Sequence, residues 1–156
     1  MALVRILVDG YSLLHNWLGV APGKPRHSAV AREELINRLT RYCDACGTPI
    51  TIVFDGASAS AEFDSLPSTP EVEVVYSRAG QTADQLIERV AHRLGAYGEV
   101  LVVTDDAAER ETVASAGGLT SSCLNFVQTV ENALSELERD IRNYNQKERV
   151  KFNRAV

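Results

Sequence analysis

Short apolar runs recur along this chain with helix-periodic segments between them, and three of the runs lead straight into aspartate. Residues 3–8 (LVRILV), 49–54 (PITIVF), 71–76 (EVEVVY) and 99–103 (EVLVV) are too short for helices that would bury such apolar faces. They read as strands, most of them covered on both sides. Between them, residues 28–45 place Leu35, Ile36, Leu39, Tyr42 and Cys43 on one helical face, with Ser28 as N-cap and Gly47 as stop. Residues 82–94 do the same with Leu86, Ile87, Val90 and Leu94. Another helix begins near Ala107, and residues 119–124 suggest a short fifth strand. A long helix runs from about Phe126 to Glu148, with Phe126, Val130, Leu134, Leu137, Ile141 and Tyr144 along one side. Residues 57–70, rich in Ala, Ser and Pro, read as a mobile loop. The alternation predicts an α/β fold: a mostly parallel sheet of four or five strands, helices on both faces, and a long C-terminal helix. No repeat or linker divides the 156 residues, so residues 1–156 are expected to form one domain.

Composition removes several classes of function. Hydrophobic residues make up 45% and charged residues 24%, which argues against disorder. No apolar run approaches the ~18 residues that span a bilayer. Asp9 interrupts the first run, so it is not a signal peptide, and three cysteines without an export signal fit a reducing, cytoplasmic setting. The net charge of −5 is unevenly spread. Arg139, Arg142, Lys147, Arg149, Lys151 and Arg154 outweigh Asp140 and Glu148, making residues 139–156 +4 and leaving −9 for residues 1–138. An acidic body is a poor non-specific nucleic-acid binder. The basic end reads either as a solvated helix end or as a contact for RNA or another polyanion.

In open parallel sheets the chemistry gathers outside the carboxyl ends of the strands. Asp9, Asp55 and Asp106 stand at three such ends, with Thr104 and Asp105 beside the last. Aspartate after a strand commonly serves a turn or a helix cap, so none of the three means much alone. Jointly they matter, because neighbouring strands lie about 4.8 Å apart. Carboxylates crowded into one cleft raise each other's pKa unless a cation sits among them, and hard oxygen donors suit Mg²⁺ or Mn²⁺. Asp84, in the first turn of its helix, is a fourth candidate, although an acid there also complements the helix dipole. Glu88 shares its helix face, where it either supports a ligand or pairs with Arg89 or Arg93.

The segments VDGYSLLH (8–15), VFDG (53–56), GQTADQLIERV (80–90) and VVTDD (102–106) occur in that order. Together they resemble the NYN branch of the PIN-like nucleases, in particular the YacP-like group, over roughly residues 3–145. The resemblance implies a Rossmann-like, PIN-like sheet and a metal-dependent endoribonuclease that cuts single-stranded RNA, with ribosome-associated mRNA as a possible target. It implies Asp9, Asp84 and Asp106 as ligands of Mg²⁺ or Mn²⁺, with Asp55 as a further ligand or water-positioning group. Asp105, Glu88, Ser12 and Thr104 would support them. Two positions depart from the family pattern: Ser12 stands where D-G-Y-N has Asn, and Asp105 where T-S-D has Ser.

Around this core lie candidate RNA contacts: Tyr11 as a stacking platform, Lys24 and Arg26 in a Pro/Gly loop, and Arg78 before the TAD segment. Each has a plainer reading as packing or solvated charge. Trp17 and His15 read first as packed residues, and Cys43-x-x-Cys46 lacks the partners a zinc site needs. The D-x-D, D-x-S-x-S and G-x-G-x-x-G patterns of three rival sites all fail at residues 9–15. Two non-enzymatic readings stand beside the nuclease. One is a non-cleaving PIN-like module that docks on RNA or the ribosome. The other is an interaction protein using the apolar face of the C-terminal helix.

Overall fold

The computed structural model describes residues 3–56 and 68–155. Most of the 57–70 loop therefore lies outside the described residues. The elements follow in the order β1 (Leu3–Asp9), α1 (Gly10–His15), α2 (Ala29–Cys46), β2 (Ile50–Phe54), β3 (Val72–Tyr76), α3 (Ala83–Leu94), β4 (Glu99–Val103), α4 (Ala107–Ser115), β5 (Leu119–Ser121) and α5 (Cys123–Ala155). All strand pairs are parallel, and the sheet order is β3-β2-β1-β4-β5.

Strand parity divides the core in two. Ile6, Val8, Ile50, Ile52 and Phe54 pack under α1, α2 and the start of α5. Leu7, Val53, Val100 and Val102 pack under α3 and α4 with Ile87 and Val113. Near-continuous apolar strands follow from having both faces covered. Tyr42 and Phe126 meet edge to face with centroids 5.8 Å apart, joining α2 to α5.

The caps are those the letters announce. Ser28 accepts from the Ala31 amide, Gly47 ends α2 with φ of 77°, and Thr82 with Gln85 forms a capping box on α3. Two elements differ from the sequence reading. The six-residue α1 follows β1 without a loop, and no helical period is legible in so short a segment. Helix α5 begins at Cys123 and runs to Ala155, longer at both ends than its apolar stripe.

The sheet order positions the site. The chain lays β2 and β3 on one side of β1, then returns to place β4 on the other. This reversal opens a crevice between the carboxyl ends of β1 and β4. Val8 is level with Val103 in the register, so Asp9 and Thr104 rise side by side at its mouth.

Candidate metal centre

Asp9 is the last residue of β1 and the N-cap of α1, accepting from the Ser12 amide at 3.2 Å. The turn from strand to helix is abrupt, because Gly10 has no Cβ to strike the Phe54 ring. Burial raises the Asp9 pKa, the Ser12 hydrogen bond opposes that, and the Asp84 carboxyl adds to the rise. Asp84, in the first turn of α3, neighbours both Asp9 and Glu109 and raises the pKa of each.

Glu109, on the first turn of α4, is the group that strand-end reasoning misses. It is 2% exposed. Burial first, then Asp84, then Asp9 push its pKa up to about 9, against the Thr104 hydroxyl, which donates to Oε2 at 3.1 Å. Oε1 is buried with no hydrogen-bond partner. Its neighbour Asp84 is also a carboxyl, so the two can bond only by sharing a proton. The sequence did carry a signal, since an acid at the third position of a helix after T-x-D is a capping pattern. That pattern favours a Glu turned back onto the cap amide, but here the Asp106 amide donates to the Thr104 hydroxyl and Glu109 turns inward.

Glu109 thus joins Asp9 and Asp84 as a third carboxyl, with Asp106 beside it as the cap of its helix. Asp106 is exposed and is the N-cap of α4, its Oδ1 accepting from the Glu109 amide at 3.1 Å. Asp106 positions Glu109 through the backbone. Asp105 accepts from the Cys123 amide at 2.9 Å and from Asn16 Nδ2 at 3.0 Å, tying α5 to the end of α1. Burial, then the Asp105 charge, push the Cys123 thiol up to about 12. Asp55 sits over the β2–β3 pair, where the Ser77 hydroxyl lies 3.4 Å from its Oδ1 and accepts from the Gly56 amide at 3.0 Å. It is not among the charges that shift Asp9 or Glu109. Glu88 lines a groove of about 980 Å³ between α3 and α4 with Arg89 and His92.

The proposed RNA contacts divide in the same way. Tyr11 is 5% exposed, its ring packed on His27 at 4.2 Å and Phe54 at 5.0 Å, and its hydroxyl accepts from Arg32. It has no face left for a base. Arg26 folds inward, donating to the carbonyls of Leu14 at 3.1 Å, Trp17 at 3.2 Å and Ala21 at 2.6 Å. Lys24 and Arg78 are exposed. Trp17 is buried, its indole N–H donating to Glu131 at 2.9 Å. His15 is exposed with its ring 5.3 Å from that of His27. The three cysteines are free thiols, with Cys43 buried and Cys46 exposed.

Among the described residues no three acids, histidines or cysteines form a ready-made metal cage. Asp9, Asp84 and Glu109 are nonetheless close enough to perturb one another, and they leave one buried oxygen without a donor. A hard divalent cation relieves that crowding, so the donor set fits Mg²⁺ or Mn²⁺.

A family model described as YacP-like NYN domain matches residues 6–156. The chain is 28% identical over 138 residues to the uncharacterised protein YacP of Bacillus subtilis (strain 168), covering 88% of this chain and 81% of that one. Its fold is similar to the crystal structure of Rae1 (YacP) from Bacillus subtilis, with a TM-score of 0.78 at 26% identity, over 95% of this chain and 84% of that one. A tryptophan-to-leucine variant of that protein matches with a TM-score of 0.75 at 27% identity, over 91% and 84% of the respective chains.

Proposed function

This chain belongs to the YacP-like NYN domain family, whose domains are nuclease-like, and from that premise we propose that it is a metal-dependent endoribonuclease acting on single-stranded RNA. The observation that carries this reading is the buried, donor-less Glu109 oxygen beside Asp84 and Asp9. Asp9, Asp84 and Glu109 would hold Mg²⁺ or Mn²⁺. Such an ion, when bound, supplies an acidified water and a positive charge facing a phosphoryl oxygen.

The chain's own residues prepare the site. Asp9 is oriented by the Ser12 amide, and Glu109 by the Thr104 hydroxyl and the Asp106 cap. Burial and the neighbouring carboxyls raise the pKa values of Asp9 and Glu109, which favours a proton on Glu109 when no ion is bound. Exposed Lys24 and Arg78 are the candidates for RNA phosphates, since Arg26 and Tyr11 are committed to the fold. Ribosome-bound mRNA as target and a cytoplasmic site of action extend the same proposal. They draw on the family resemblance, and no helix among the described residues is long and apolar enough to cross a membrane.

Incubation of end-labelled single-stranded RNA with the protein in Mn²⁺, Mg²⁺ or EDTA tests the reading. Internal cleavage is expected with either metal and not in EDTA. Asp84→Asn and Glu109→Gln should each lose about a hundredfold or more while remaining folded. Equal cleavage in EDTA, or undiminished cleavage by both variants, would overturn it. Binding without cutting, retained in both variants, would favour a docking module instead.

A further inference from the structure

Helix α5 continues well past the body it packs on. Its first turns bury Cys123, Phe126, Val127 and Val130 against the α1 and α2 layer. From Ser135 through Arg154 every residue is exposed. The apolar spacing does not stop with the body. Val127, Val130, Leu134, Leu137, Ile141 and Tyr144 alternate steps of three and four, the a and d positions of a heptad. Beyond Leu134 the stripe emerges into solvent, with Leu137 38%, Ile141 51% and Tyr144 65% exposed. A repeat of 3.5 residues is the seam of paired helices, and in proteins most helical stability comes from packing such an apolar face.

Charge along the same stretch indicates what covers the seam. Residues 135–140 hold Glu136, Glu138 and Asp140 against Arg139, a net of −2. Residues 141–154 hold Arg142, Lys147, Arg149, Lys151 and Arg154 against Glu148, a net of +4. An antiparallel copy of the helix sets the acidic half against the basic half. A parallel copy would set like on like, and a polyanion would meet the acidic half beside Leu137.

We propose that the exposed stretch of α5 pairs antiparallel with the same stretch of a second copy of this chain. Ile141 of one copy then faces Tyr144 of the other, and Asp140 and Lys147, both at the flanking g position, face each other twice across the twofold axis. This pairing joins two domains at their distal helices and leaves the crevice at Asp9 open in each.

Sedimentation velocity of the full chain across the micromolar range tests this. The unmodified protein is expected to dimerise with rising concentration. Ile141→Glu should weaken the dimer by roughly tenfold or more, because it places an unpaired charge in an apolar layer. Asp140→Lys and Lys147→Asp should each weaken it, and the two together should restore it, since the charge pair is only reversed. Residues 140 and 147 are solvent-exposed, so this swap stays informative even if Ile141→Glu frays the helix. A monomer at every concentration, a dimer indifferent to Ile141→Glu, or a double variant no better than the singles would overturn the proposal. So would a monomer that gains mass only when a single-stranded oligonucleotide is added.

Discussion

Glu109 is an acid that the folded protein keeps protonated up to about pH 9, near two other carboxyls and out of water. The linkage has a definite sign. A carboxyl whose pKa is raised by folding costs nothing below its unfolded value near 4.5, where both states carry the proton. As pH climbs from there toward 9, the unfolded chain ionises while the folded one does not, and stability falls throughout that window. In EDTA the melting temperature should therefore decline between those limits, and Glu109→Gln should flatten the decline. A slope unchanged by the substitution would place the raised pKa elsewhere. Added Mn²⁺ should raise the melting temperature more at pH 8 than at pH 5, because the ion competes with that proton. Asp106→Asn provides the contrast: Asn caps a helix as well as Asp, so this variant should keep most of its cleavage where Glu109→Gln loses it. Comparable losses in the two would return Asp106 to the metal.

Among the elements, the short ones carry what a periodicity reading cannot show. Strand β4 coincides with its apolar run, and Ser28, Thr82 and Gly47 act as the caps their types suggest. These signals are local, so they are legible. Helix α1 and the loop after it are held by tertiary contacts instead. Arg26 stitches the end of α1 to the loop through the carbonyls of Leu14, Trp17 and Ala21, and nothing in the local sequence distinguishes it from a solvated loop cation. Arg26→Met should cost about 1–3 kcal/mol in a denaturant melt. Cleavage per folded molecule should be unchanged. Weakened RNA binding at unchanged stability would restore Arg26 to the substrate surface. Glu109 escaped the same kind of reading, since inward and outward turns of a helix residue depend on the packing of α4 over β4. Asp9 and Asp84 were legible because the topology of a parallel sheet brings a strand end and a following helix start together.

At the scale of the whole molecule, the reversal of sheet order at β1 and β4 decides where chemistry can occur. It brings residues 9, 84 and 109, far apart along the chain, to one crevice, and the other strand-end acids bond to groups of the neighbouring elements. Asp105 locks α5 to α1, Asp106 caps α4, and Asp55 stays with the β2–β3 edge. The account therefore predicts a single preferred place for a hard cation. Crystals soaked in Mn²⁺ and measured at the manganese absorption edge test this most directly. An anomalous peak bridging the carboxylates of Asp9, Asp84 and Glu109 is the predicted result. A peak confined to Asp55, Asp105 or Asp106, or no peak among Asp9, Asp84 and Glu109, would contradict it.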